Sequence, residues 1–136
     1  MNLFLDTDIC VYALRGKYPE VQKRIAALPP ERIKIPVIVK AELLTGALCS
    51  HKAEQACSVV EKFLGPFEII SFDDVCSVIY SQIRFDLEKK GQSIGPNDLL
   101  IAATALAHRG ILITHNTKEF NRIADLKLQD WIDKIQ

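Results

Sequence analysis

Short apolar runs alternate along the whole chain with longer segments whose apolar residues recur at helical spacing, and this alternation constrains the fold most. "NLFLD" reads as a buried strand closed by Asp6. "DICVYALRG" follows as a helix stopped by Gly16, and "PEVQKRIAAL" sets Val21, Ile25 and Leu28 on one face with Pro19 in its first turn. "RIKIP" is a short strand, "VIVKAELLTGAL" a helix, and "AEQACSVVEKFLG" an amphipathic helix ended by Gly65-Pro66. "FEIISF" alternates as a strand does. "DDVCSVIYSQIRFDLEKKG" reads as a long helix begun by Asp73 or Asp74, with Val75, Val78, Ile79, Ile83 and Leu87 on its apolar face. A helix ended by Gly110, the strand "ILIT", the turn "NTKEFNRI" and an edge strand in "LKLQDW" complete the chain. Strands alternating with helices predict an α/β domain with a mainly parallel sheet and helices on both faces. Such folds place their chemistry outside the carboxyl ends of the strands.

Size and charge narrow the classes. The 136 residues are expected to form one domain, residues 1–136. Lys plus Arg equal Asp plus Glu at 17 each, so the net charge is zero. A strongly basic balance would point to nucleic acid, so any RNA-binding surface here is local. Lys89–Lys90 and Arg15–Lys17 are the candidates, against the plainer reading of solvated charges. Zero net charge also favours self-association, and a homodimer is expected. Cys10, Cys49, Cys57 and Cys76 form no C-x-x-C pair and have no His at zinc spacing. They read as buried reduced thiols, which fits a cytoplasmic protein. "MNLFLDTD" meets a charge too soon for a signal-peptide core, and no apolar run suits a membrane span.

The stretch "SIGPNDLLIAATALAHRG" poses the functional question. Asp98 stands ahead of Leu99 to Ala107, a segment whose one polar side chain is Thr104. Alone, Asp98 reads as a first-turn carboxylate against the helix dipole. Asp6 alone reads as an N-cap in "DTD", and Glu42 as a solvated Glu or a partner of Lys40. Together, one acid ends the first strand, one lies on the helix after the second, and one heads the helix before "ILIT". They can converge on one sheet edge. Three carboxylates about 5 Å apart repel by roughly 3 kcal/mol per pair at an effective dielectric near 20. Such a cluster calls for protons or a hard cation, Mg²⁺ or Mn²⁺.

"FLDTDICVYALRG", "KAELLTGA" and "GPNDLLIAATALAHRGILITHNTKEF" resemble the PIN-domain ribonuclease toxins of the VapC type over essentially the whole chain. The resemblance implies a three-layer α/β/α domain, Mg²⁺- or Mn²⁺-dependent endoribonuclease activity on tRNA or ribosomal RNA, and a cognate VapB-type antitoxin that meets operator DNA together with the toxin. It implies Asp6 and Asp98 as metal ligands, with Glu42 completing the site directly or through a water. An activated water would then attack phosphorus, leaving a 5′-phosphate and a 3′-hydroxyl. Two positions depart from the family. Asp8 stands where Asn is frequent, either as added charge at the site or as a cap facing solvent. Asn116 stands in place of a fourth acid, with Glu119 one turn on as its substitute, so the number of metals stays open.

Thr7 and Thr114 read either as partners of a carboxylate or as backbone partners at element ends. His115 reads as a surface-loop residue, Arg84 as half of a solvated ion pair, and Trp131 as packing. The strand "FEIISF" and the helix over 53–64 read as scaffold or dimer surface. Two other functions compete. "FLDTDICV" resembles the opening of haloacid-dehalogenase-type phosphatases, but the acid pair in "SFDDV" comes too early for them and "ILIT" ends in "THN". Asn116 also permits a catalytically silent domain that serves only as a partner.

Overall fold

The computed structural model describes residues 1–132. Five strands form one sheet: β1 (Leu3–Leu5), β2 (Ile33–Pro36), β3 (Glu68–Ile70), β4 (Ile111–Ile113) and β5 (Lys127–Gln129). Their order is β3-β2-β1-β4-β5, and every pairing is parallel. The helices are α1 (Thr7–Arg15), α2 (Pro19–Ala27), α3 (Val37–Leu48), α4 (Ala53–Leu64), α5 (Asp74–Lys89), α6 (Pro96–Ala107) and the short α7 (Thr117–Phe120). The all-parallel sheet agrees with the strand–helix alternation, because parallel neighbours need a crossover and helices supply it. β5 is the edge strand that "LKLQDW" suggested.

β1 has neighbours on both sides, and Leu3, Phe4 and Leu5 are all buried. That explains a continuous apolar run instead of alternation. The long apolar segment after Asp98 has the same cause. α6 lies between α5 and the rest of the core, and Leu99, Ile101, Ala102, Ala103, Thr104 and Ala105 are all buried. Thr104 satisfies its hydroxyl on the Leu100 carbonyl at 2.8 Å.

Gly110 does not terminate α6 through its own conformation. Arg109 takes the left-handed backbone (φ 54), while Gly110 donates to the Ala105 carbonyl at 3.0 Å. Glycine is needed because a Cβ there would stand 2.4 Å from the ring of Phe4.

Other details differ from expectation. Val75 and Val78 are exposed, whereas Ile83 and Leu87 are buried as expected and Cys76 is buried beside them. The Asp73 side chain accepts the Cys76 N–H at 3.0 Å and starts the helix, and one narrow stripe then meets α6. All four cysteines are free, but only Cys10 and Cys76 are buried; Cys49 is exposed and Cys57 half-buried, because α3 ends and α4 runs at the surface. Trp131 is buried, and Arg84 pairs with Glu88 in the open, as expected. Among the described residues no helix is long and apolar enough to cross a membrane.

The strand order reverses at β1: β2 and β3 lie to one side, β4 and β5 to the other. The crevice beyond the carboxyl ends of β1 and β4 is thus the topological switch point, where open parallel sheets bind ligands. Leu5 and Ile113 are in register there, and the Asp6 N–H donates to the Ile113 carbonyl at 2.9 Å.

Candidate active site

Asp6 leaves β1 at this crevice and caps α1. Its Oδ1 accepts the Thr7 N–H at 2.8 Å, so the capping reading holds. Capping uses one oxygen. Its Oδ2 accepts the Thr114 hydroxyl at 2.7 Å, across the sheet from the end of β4. Asp6 is only 4% exposed. Burial pushes its pKa up to about 7 despite the two hydrogen bonds, and the charges of Asp98 and Asp8 add to the rise.

Glu42 reaches the same place from α3. Its Oε1 accepts the Thr7 hydroxyl and its Oε2 accepts Asn97 Nδ2 at 3.3 Å. It is held by these neutral donors and forms no ion pair with Lys40. Thr7 and Thr114 therefore both serve carboxylates. Asn97 is a residue that the sequence reading missed. Its position beside Asp98 in "GPND" was the available signal, but a partner on α3 cannot be read locally.

Asp98 lies in the first turn of α6. No hydrogen bond ties its carboxylate among the described residues. It is half-buried, and its pKa rises to about 6, through burial first and then through the charges of Glu119, Glu42 and Asp8. Asp8 is exposed one residue into α1, yet its charge acts on both Asp6 and Asp98. It adds negative potential to the site, whichever way a cap reading would take it.

Asn116 and Glu119 close the ring. Glu119 accepts Gly95 N–H at 3.2 Å and Asn116 Nδ2 at 2.9 Å. The Asn116 backbone N–H donates to Thr114 Oγ1 at 3.0 Å. Asn116 thus links Glu119 to the hydroxyl that holds Asp6. Asp6, Glu42, Asp98, Asn116 and Glu119 belong to one neighbourhood. The ion pairs Lys34–Glu68 and Arg84–Glu88 lie elsewhere. His115 is more constrained than a loop residue: its Nδ1 stands 2.9 Å from Asp130 Oδ2.

The result is an all-oxygen, negatively charged crevice whose two most buried acids resist ionisation. Its donor chemistry fits a hard divalent cation. Among the described residues, no three His, Cys, Asp or Glu side chains are drawn tightly enough together to hold one as they stand.

A parallel α/β domain with acids gathered at its switch point defines a class, and comparison with known proteins agrees with it. Residues 3–126 match the PIN domain family. The chain is 44% identical over 133 residues to Ribonuclease VapC2 of Rickettsia felis, covering 96% of this chain and 98% of that protein. It is 31% identical over 131 residues to the tRNA(fMet)-specific endonuclease VapC of Shigella flexneri, with 96% and 98% covered. The crystal structure of VapBC2 from Rickettsia felis, bound to a DNA fragment from their promoter, superposes with a TM-score of 0.90 at 42% identity, covering 96% of this chain and 99% of that one. The chain belongs to the PIN-domain family, as one of the VapC ribonucleases, the toxins of VapBC toxin–antitoxin systems.

Proposed function

We propose that this ribonuclease requires Mg²⁺ or Mn²⁺, cuts tRNA or ribosomal RNA at a defined step in the cytoplasm, and is silenced by a VapB-type antitoxin. The observation that carries this reading is Asp98: a carboxylate without a hydrogen-bond partner among the described residues, half-buried among Asp6, Glu42, Glu119 and Asp8. An acid that only capped a helix would not be set among four others.

Asp6 and Asp98 are the residues to hold the cation, with Glu42 as a third ligand or as the partner of a water. When bound, the cation supplies counter-charge, lowers the pKa of water and stabilises charge on the phosphodiester. The side chains do the rest. Thr114 and Thr7 fix Asp6 and Glu42. Glu42 and Glu119 offer carboxylate oxygens that can take the proton of an attacking water. Asn116 holds Glu119 in place. In-line attack forms the new P–O bond as the P–O3′ bond breaks, leaving a 5′-phosphate; the departing 3′-oxygen takes a proton from solvent water to become a 3′-hydroxyl, and the RNA 2′-hydroxyl need not act as nucleophile. The Shigella flexneri relative's specificity for tRNA(fMet) supports tRNA as the first substrate to try.

The antitoxin reading rests on a groove of about 330 Å³ beside α1, α3 and α4. Val11, Leu14, Leu43, Ala47 and Val60 line it, and Glu42 stands among its lining residues. It suits the apolar face of an antitoxin helix that carries a basic side chain to the acids. Operator DNA is met through that complex, since a chain of zero net charge has no general attraction to duplex. Zero net charge favours self-association, and a homodimer is the working unit of this proposal.

The deciding experiment is incubation of the purified chain with total RNA and Mn²⁺. Cleavage that EDTA stops supports the proposal. Intact RNA, together with no thermal stabilisation by metal, would favour the silent partner domain instead.

A further inference from the structure

Beside the acids lies a second cluster that the chemistry above does not use. α1 ends in a left-handed turn at Gly16 (φ 66), with the Lys17 N–H donating to the Tyr12 carbonyl at 3.1 Å and the Gly16 N–H to the Ala13 carbonyl. This turn folds Tyr18 back against Tyr12, edge to face, with ring centroids 4.8 Å apart. The Lys17 ammonium lies over both rings, at 5.5 and 5.4 Å. The ring of His115 packs near both, at 6.3 and 6.4 Å. Asp130 fixes His115 through Nδ1, and its other oxygen accepts the Ile132 N–H at 3.0 Å. The hydroxyl of Tyr12 and the Nε2 of His115 make no hydrogen bond among the described residues.

Position gives the cluster its meaning. Tyr12 lies one helical turn after Asp8, and the charges of Asp8, Asp130 and Asp6 all reach its hydroxyl. His115 directly follows Thr114, which holds Asp6. A phosphate chain entering the crevice meets five acids; Lys17 is a cation held at its rim. Aromatic faces beside a cation are the general means of binding single-stranded nucleic acid. We propose that Lys17, Tyr12, Tyr18 and the Asp130-oriented His115 form the subsite for the unpaired RNA nucleotide next to the bond that is cut. Lys17 takes its phosphate, the rings take its base, and the Tyr12 hydroxyl and His115 Nε2 bond its polar edges.

This subsite rests on the ribonuclease reading, and the test separates the two. The full chain carrying Asp98→Asn is expected to bind RNA without cutting it. It is titrated with a labelled random-sequence oligoribonucleotide of about 12 nucleotides. Adding Lys17→Gln should weaken binding about tenfold and lower the log–log salt slope by about 0.7, the loss of one single-strand phosphate contact. Tyr18→Leu and His115→Gln should each weaken it about tenfold with the salt slope unchanged. Tyr12→Phe, which keeps the ring packing, should weaken it less. Lys127→Gln, exposed at the amino end of β5 and so at the sheet edge opposite the crevice, should leave it unchanged. Unchanged affinity in the Lys17→Gln, His115→Gln and Tyr12→Phe proteins would overturn the subsite, including the case where these changes weaken an antitoxin peptide instead. If the unmutated chain binds the oligoribonucleotide through this cluster but cuts no RNA with Mn²⁺, the cluster is an RNA-binding surface with no scissile bond beside it, and both the ribonuclease reading and the placement of the subsite next to a cut bond fail.

Discussion

Thr114 donates its hydroxyl to Asp6 Oδ2 at 2.7 Å and accepts the Asn116 N–H at 3.0 Å, so one buried hydroxyl joins the ends of β1 and β4 to the loop before α7. Thr114→Val keeps the shape and removes both bonds. It leaves a buried carboxylate oxygen and a backbone N–H without partners, at a cost of about 1–3 kcal/mol. Denaturant unfolding should show that loss, and Mn²⁺ titration should show about 10–100-fold weaker binding.

Asp98→Asn separates structure from chemistry. Asn also suits a helix start, and the carboxylate makes no hydrogen bond to lose. The variant should fold with unchanged or slightly higher metal-free stability and lose on the order of 10²–10³-fold in kcat. A variant that still cuts RNA at the parental rate would contradict the site assignment.

Asn97→Ala tests a residue that acts through Glu42. Freed from one of its two donors, Glu42 should wander. Cleavage at limiting Mn²⁺ should fall about tenfold and recover at saturating Mn²⁺. Loss that excess metal does not restore would place Asn97 on the substrate instead.

The metal-free protein should lose stability as the pH rises. The folded pKa of Asp6 is about 7 against 3.8 for a free side chain, so between these values the native state binds more protons than the unfolded one. Stability contributed by protonated Asp6 is whole below 3.8 and gone above about 7. The change is on the order of 4 kcal/mol. Half-buried Asp98 acts in the same direction with a smaller effect, because solvent screens it. Unfolding in EDTA across this range should show the slope, and Asp6→Asn should remove most of it. A metal-free Asp6→Asn protein less stable than the parent at pH above 7 would argue against the repulsive cluster.

Gly110→Ala should destabilise the core. The added Cβ would sit 2.4 Å from the ring of Phe4 on the central strand. Overpacking of this kind costs about 1–3 kcal/mol. Phe4→Leu in the same chain should recover part of the loss; a melting temperature equal to the parent's for Gly110→Ala alone would refute the contact.

What the sequence determined by itself is local. Periodicity and punctuation marked β1 to β5 and the helices between them, because a strand or helix is set mainly by the residues within it and by its caps. Asp6 at a strand end, Asp98 at a helix start and the "RGKYP" turn were legible for the same reason. The face of α5 is legible only in part: Ile83 and Leu87 are buried as their spacing predicts, but Val75 and Val78 are as apolar and exposed, and only contact with α6 decides between them. The tertiary structure alone decided that β1 and β4 are neighbours. That adjacency brings Thr114 to Asp6, 108 residues away, and the packing of α3 against α6 sets Asn97 against Glu42. Hydrogen bonds of this kind depend on strand order and register, which no short stretch of the chain encodes.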